Sequence, residues 1–340
     1  TGLEFGLNIN RISIDRFHAN GKIDRSFGTN GRSSALPVTG FNSSDEVLQD
    51  IIRSKDGKLI AVGLLRSYSA SGPTENSLLV TKIDDLGKPD PSFSKNGVAL
   101  INTGSLFYQG YYDFYRHMPY LGMHLAEDKQ GNLFILAPSW DYFLSKRTSV
   151  LYKLVPSGEL DLSFGTNGKV DLDLKSNYGG DHQRSNGLVV QPDGKVVVGI
   201  MLDVQCMLRF ETNGALDKSF GKDGMVSETL LPAYGHSDGQ FNIAKRLAIF
   251  PDGKLILVGK TNNYFYGTFG ASKYQPDGSP DPTFGTNGHV SIRMTTNSNE
   301  DKPKAVLIQP DSKILIAGTG EGGICLARLS QDGKPDPDFG

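Results

Sequence analysis

Only two of the 340 residues are cysteine and only one is tryptophan. Two thiols cannot build a disulfide framework, so stability has to come from a packed core. Cys206, in QCMLRF, and Cys325, in ICLARL, each lie three residues before a basic residue of a similar segment. Equivalent places in separate segments are too far apart to bridge, because Cα atoms beyond about 7 Å cannot be linked. Both are expected to be buried apolar thiols. No apolar run approaches the roughly 20 residues that cross a bilayer as a helix, and no membrane insertion of that kind is expected. An excess of either charge is also missing: 35 Lys and Arg against 37 Asp and Glu leave a net charge of −2 and no basic footprint for nucleic acid. No stretch keeps a 3.6-residue apolar period, which argues against amphipathic helices. The chain has no Walker loop, no G-x-S-x-G elbow, no CxxC pair and no D-x-D-x-D-G calcium loop, and His117 and His124 lack a ligand-spaced partner set. No cofactor and no metal is expected.

What the chain does have is one phrase repeated six times. It reads GKIDRSFGTNG from Gly21, GKPDPSFSKNG from Gly87, GELDLSFGTNG from Gly158, GALDKSFGKDG from Gly214, GSPDPTFGTNG from Gly278 and GKPDPDFG from Gly333. The phrase phenylalanines, Phe27, Phe93, Phe164, Phe220, Phe284 and Phe339, mark a period the length of one supersecondary unit that cannot bury its own apolar face. Residues 1–340 therefore read as a single repeat array, with units at about 32–86, 98–157, 169–213, 225–277 and 289–332.

The shortest unit displays the pattern most plainly. After GTNG come KVDLDL, a polar loop, GLVVQ, the turn PDG, KVVVGIML and QCMLRF, which are four short runs rich in Val, Ile and Leu separated by Gly, Pro, Asn and Asp. These are strand slots A, B, C and D. The B–C link is a tight hairpin with Asp-Gly chemistry, KDGK at Asp56, PDGK at Asp193 and Asp252, PDSK at Asp311 and the variant KQGN at Gly131. The D–A link carries the phrase and, as the longest uniform connection, is expected to cross from one sheet to the next. The predicted fold is all-β, a β-propeller of four-stranded antiparallel blades with five complete repeats plus part of a sixth.

A basic residue stands eleven positions before each Phe, at Arg16, Lys82, Lys153, Arg209, Lys273 and Arg328. An aspartate stands three positions before it, at Asp24, Asp90, Asp161, Asp217, Asp281 and Asp336. Sixfold placement of a cation and an anion suits a structural ion pair or a turn cap better than a ring of ligand sites.

The segments DGKLIAVG, PDGKVVVGI, PDGKLILVG and PDSKILIAGTGEGGICLARLSQDGKPDPDFG resemble the delta-60 repeat family over about residues 9–340. The departures are Ser94, where Gly follows Phe elsewhere, and the KQGN turn. The resemblance implies a propeller-like protein, largely bacterial and often secreted or displayed at the cell surface, and it does not imply an enzymatic activity or fixed functional residues.

In a four-stranded meander the A–B and C–D loops share one end and the uniform B–C and D–A links share the other. Variable loops on a rigid scaffold are the usual layout of a binding face. Here they are rich in aromatics. The candidate ligand-binding residues are Tyr108, Tyr111, Tyr112, Tyr115 and Arg116 in the long second A–B loop, and Trp140 and Tyr142 in PSWDYFLSKR. Tyr178 and Tyr234 in other A–B loops, and Tyr264 and Tyr266 in NNYFYGTF, complete the set. Tyr and Trp offer flat apolar area with a polar handle, which suits glycan, peptide and protein ligands alike. Packing under the long loops would use the same residues. The sequence favours a binding or interaction propeller over catalysis; a polysaccharide-active enzyme on the same face and a structural part of a larger appendage are the alternatives. Residues 9–20 match only slot D, an orphan strand whose edges would be satisfied by further chain segments or subunits completing the propeller.

Overall fold

The computed structural model describes residues 13–33, 44–69, 72–103, 122–141, 146–174, 183–202, 205–228, 247–263, 266–294, 301–321 and 323–339. Every regular element among them is a β-strand. Strands β1 (Ile14–Asp15) and β2 (Arg32–Ser33) pair with each other. Blade 1 comprises β3 (Ser44–Arg53), β4 (Leu59–Ser69), β5 (Gly72–Ile83) and β6 (Val98–Asn102). Blade 2 follows with β7 (His124–Glu127), β8 (Leu133–Asp141), β9 (Lys146–Leu154) and β10 (Lys169–Leu172). Blade 3 holds β11 (Arg184–Val190), β12 (Val196–Met201), β13 (Gln205–Phe210) and β14 (Met225–Glu228). Blade 4 holds β15 (Leu247–Ile249), β16 (Leu255–Asn263), β17 (Tyr266–Tyr274) and β18 (His289–Ile292). Blade 5 holds, among the described residues, β19 (Lys302–Ile308), β20 (Ile314–Gly320) and β21 (Gly323–Leu329).

Each sheet is an antiparallel meander in chain order, and the first strands β3, β7, β11, β15 and β19 touch from sheet to sheet. The architecture is a β-propeller, with those strands innermost and β6, β10, β14 and β18 outermost. Alternate residues of each strand feed the two flanking cores: Leu208 and Phe210 pack toward blade 2, while Val197 and Met207 pack with Leu247, Leu255 and Tyr274 of blade 4.

The structure corrects the expected division of strands. The phrase does not cross between sheets; it returns the chain to its own sheet, where β6 pairs with β5, β10 with β9, β14 with β13 and β18 with β17. Crossing falls instead to the A–B segments. Among the described residues four sheets have four strands, one has three and one has two. The slot-D segment at the N-terminus is also not an orphan within the described residues, since Ile14 pairs with Ser33 and Asp15 with Arg32.

The phrase makes this return because it is built as a staple between neighbouring sheets. The amide following each phrase Phe donates to the carbonyl just before the glycine that opens the next phrase: Gly28 to Leu86 at 2.7 Å, Ser94 to Ser157 at 2.6 Å, Gly165 to Asn213 at 2.8 Å, Gly221 to Asp277 at 2.9 Å and Gly285 to Asp332 at 2.8 Å. Ser94 adopts a φ of 43° and keeps the geometry that glycine supplies elsewhere. The KQGN turn likewise closes normally, with Gly131 at φ 85°. Phe27, Phe93, Phe164, Phe220 and Phe284 are all buried. Gly158 presses on the Phe93 ring so closely that a Cβ there would lie 2.8 Å from it, and its φ is 89°.

The phrase aspartate organises the same turn. One carboxylate oxygen accepts the amide and hydroxyl two residues on, as Asp90 does from Ser92 and Asp217 from Ser219. The other oxygen meets cations: Lys195 and Arg209 both reach Asp217 at 2.7 Å, and Lys313 and Arg328 reach Asp336 at 2.8 and 2.6 Å. The guanidinium then covers the phrase ring, with Arg209 4.7 Å from the Phe220 centroid and Arg328 4.7 Å from that of Phe339. The second phrase exchanges partners, Asp90 taking Lys58 at 2.6 Å while Lys82 pairs with Asp56 at 2.8 Å. In Asp90 burial alone would raise the carboxyl, but the bonds from Lys58 and Ser92 outweigh it and bring it to about 2. The same opposition, with burial raising and Thr283 and Lys254 lowering, brings Asp281 to about 2. In Asp336 the Lys313 bond leads, again to about 2.

Two expectations follow. Gly158→Ala should lower the free energy of unfolding by about 2–4 kcal/mol through strain at positive φ and collision with Phe93, whereas Gly323→Ala, whose Cβ would meet only the Gly320 carbonyl at an ordinary 3.9 Å, should stay within about 0.5 kcal/mol; urea titration compares them. These aspartates have folded values below the unfolded value of about 3.9, so they contribute stability above it that is lost as pH falls through the folded values. The urea midpoint should hold from neutrality to about pH 5 and then fall between about pH 4 and 2.

Candidate functional site

The C–D hairpins and the A–B segments end on one face of the propeller, opposite the phrases. Of the sequence-predicted site residues, Tyr108, Tyr111, Tyr112, Tyr115, Arg116, Tyr142, Tyr178, Tyr234 and Tyr264 lie outside the described residues. Trp140 and Tyr266 are not in loops as expected. They belong to β8 and β17, because antiparallel pairing runs nearly to the hairpin tips, with Trp140 opposite Arg147 and Tyr266 opposite Asn263.

Hairpin length shapes this face. Strands β8, β9, β16 and β17 have nine residues each, β4 has 11 and β5 has 12, but β12 and β13 have six each. Three residues at about 3.3 Å apiece make a step of roughly 10 Å. Blade 3 is therefore a low point between the taller hairpins of blades 2 and 4. Trp140 belongs to one wall and Tyr266 to the other; blade 3 separates them, so the fold does not bring the two into one cluster.

Beneath this low point lies polarity that the sequence reading did not single out. Gln183, Ser185, Asn186 and Gln205 are buried at the same end of blade 3. Ser185 donates its hydroxyl to the Gly122 carbonyl, and Gln183 Oε1 accepts the Leu174 amide at 3.3 Å. Among the described residues, both amide atoms of Asn186, Gln183 Nε2 and Gln205 Oε1 have no hydrogen-bond partner. Asn186 sits at a β-bulge between Ser185 and Gly187, and a Cβ on Gly199 would collide with its Oδ1. A glycine in the facing strand thus admits the amide. A polar residue interrupting RSNGLVV, opposite a glycine in KVVVGIM, was the available signal. Buried amides without partners are rare, since each unmade bond costs about 1–3 kcal/mol. They offer donors and acceptors without charge, suited to hydroxyls or water rather than to ions.

On the opposite face, a cleft of about 210 Å³ lies between blades 2 and 3, lined by residues including Asp128, Asn132, Lys153 and Gln191. It opens where Asn132 stands in place of the lysines at 58, 195, 254 and 313. Its polar groups are engaged internally: Asp128 accepts the amides of Gln130 and Asn132 at 2.9 and 2.8 Å, and Lys153 pairs with Asp161 at 2.9 Å. That saturation makes it a weaker candidate than the low point. No group of three or more His, Cys, Asp or Glu among the described residues is placed to hold a metal. Cys206 and Cys325 are both free; Cys206 is buried as expected, whereas Cys325 is half-buried.

The sequence family described as a β-propeller domain of unknown function, DUF5122, matches residues 191–220, 251–284 and 309–339. Each matched segment runs from a B–C turn through strand D to the phrase Phe. The chain is thereby similar to a propeller-like repeat family. A comparison with curated proteins finds no match. Among solved structures, the α-L-arabinofuranosidase of Fusarium graminearum with arabinobiose is 14% identical, with 82% of this chain and 76% of that chain covered and a TM-score of 0.46. The β-propeller domain of the trilobed protease from Pyrococcus furiosus is 9% identical over 85% of this chain and 82% of that chain, TM-score 0.41. A Bacteroides caccae protein of unknown function is 11% identical over 78% and 68%, TM-score 0.39. At these identities none of them bears on chemistry.

Proposed function

We propose that the protein is a binding propeller of the delta-60 repeat type, secreted or displayed at a bacterial surface, whose A–B and C–D loop face recognises a glycan, peptide or protein ligand. An uncharged glycan is the ligand class that fits best. The observation carrying this is the low point over blade 3, where buried amides without partners among the described residues underlie a step between hairpins that bear Trp140 and Tyr266. Sugar hydroxyls both donate and accept, as amides do, and aromatic side chains supply apolar contact to sugar faces. The uniform phrase face supports the same assignment from the other side, since its charges are consumed by pairs within and between blades.

A glycan array, with titration of the best hit by calorimetry, tests this. Trp140→Ala and Tyr266→Ala should each weaken the hit about 5- to 30-fold, with thermal midpoints kept. Unchanged affinity with lowered midpoints would assign these residues to packing and overturn the proposal. Release of reducing ends from the hit would move the function to a polysaccharide-active enzyme.

A further inference from the structure

In the turn between strands B and C, blade 2 departs from its sister blades. The first residue of that turn is Ser54, Gln191, Phe250 or Gln309 in the others and Asp128 in blade 2; the last is Lys58, Lys195, Lys254 or Lys313 in the others and Asn132 in blade 2. One carboxylate is gained and one ammonium lost within a single turn. Asp128 is only 6% exposed. It accepts the backbone amides of Gln130 and Asn132 and, at 2.7 Å, the side-chain amide of Asn132. All three donors are uncharged, and among the described residues no cation pairs with it. Asp161 is likewise left with Lys153, where Asp217 and Asp336 each hold two cations. The hydrogen bonds of this turn are made, but its charges do not balance, and a buried carboxylate is costly without a counter-charge.

The cleft of about 210 Å³ between blades 2 and 3 lies at that carboxylate. Elsewhere the strand-D cation of one blade donates to the carbonyl two residues before the next phrase: Arg16 to Asp85 at 2.6 Å, Arg209 to Pro276 at 2.6 Å and Lys273 to Gln331 at 3.0 Å. Lys153 reaches the Thr212 carbonyl only at 3.5 Å. The cleft is thus the space left by a short strand-D cation and by the lysine that Asn132 replaces. The neighbouring interface shows what fits there. Between blades 3 and 4, Nη1 of Arg209 donates both to the Pro276 carbonyl and, at 3.2 Å, to Gln191 Oε1. Between blades 2 and 3 the Thr212 carbonyl and Asp128 hold the matching positions, with a carboxylate in place of the amide. Asp128 Oδ2 accepts one bond and has room for another. Lys153 is matched by Asp161, and Lys129 and Asp193, exposed at the rim, offset each other, so the charge that remains is that of Asp128. We propose that this cleft binds an alkylguanidinium cation, the group an arginine side chain carries, which donates to the Asp128 carboxylate and the Thr212 carbonyl. A guanidinium is weakly hydrated and offers directed N–H bonds, which suits a carboxylate and a carbonyl side by side in a narrow cleft. The site is at the phrase end and independent of the ligand proposed for the loop face.

Titration of the full chain with methylguanidinium at fixed ionic strength, followed by amide chemical shifts, tests this. The amides of Asn132 and Gly194 should move with a saturating curve, while those of Gly187 and Gly199, at the loop end of blade 3, stay in place. Methylurea has the same shape without the charge and should bind at least about 10-fold more weakly. Two variants close the site with residues that other blades already carry at the same places. Asn132→Lys supplies the missing ammonium, and Lys153→Arg supplies a side chain long enough to reach Thr212. Each should weaken methylguanidinium at least about 10-fold with the thermal midpoint kept or raised. The peptide acetyl-Gly-Arg-Gly-amide separates the sources of the cation: tighter binding than methylguanidinium assigns the site to an arginine within a peptide chain, and equal binding to a small guanidino compound. Equal affinity for methylurea, affinity unchanged in both variants, or no saturable shift at Asn132 and Gly194 would overturn the proposal.

Discussion

Everything in this propeller hangs on one contact, the meeting of successive phrases between neighbouring sheets. A blade of four short strands has two apolar flanks and cannot stand alone. The phrase fixes where the next blade lies, through an amide that donates across the gap, a phenylalanine beneath it and a glycine that touches that ring. The aspartate and its cations hold the turn itself in shape, one oxygen on the local amide and hydroxyl, the other on one or two basic side chains. Because buried charge is costly unless paired and hydrogen-bonded, the arrangement tolerates little change at Asp217 or Asp281, both almost wholly buried. The periodic cations are thereby structural, and the repeated contact between blades lies at the phrase end rather than on the loop face.

That separation explains the distribution of variety. At the phrase end every connection repeats, because every connection performs the same contact. At the other end the hairpin strands range from six to 12 residues without disturbing the stack, since their added pairs extend outward from the core. A surface with steps arises on a regular scaffold, and function is free to occupy it.

How much of this the sequence carried depended on whether a feature repeats. Strand slots, Asp-Gly turns and the phrase announced a propeller, because period-two runs and turn residues encode local conformation directly. The sheet to which the fourth strand belongs was not legible: KVDL sits as near in sequence to the strand after it as to the one before, and only the pairing of Lys169 with Tyr152 and Leu172 with Ser149 decides. Lys82 also escaped, since an ion pair with Asp56 rather than Asp90 depends on side-chain reach, not spacing. The amides of blade 3 were overlooked for a related reason: Asn186 looks like an ordinary loop residue until the bulge and Gly199 show where its side chain goes.

The central claim is that the phrases bind blade to blade, and native-state hydrogen exchange tests it most directly. The amides of Gly28, Ser94, Gly165, Gly221 and Gly285 lie in turns, where exchange is ordinarily fast, yet each donates across a blade interface. The account predicts that they exchange as slowly as the central strands, through global unfolding alone. Fast exchange at these five positions while β8, β12 and β16 stay protected would contradict it.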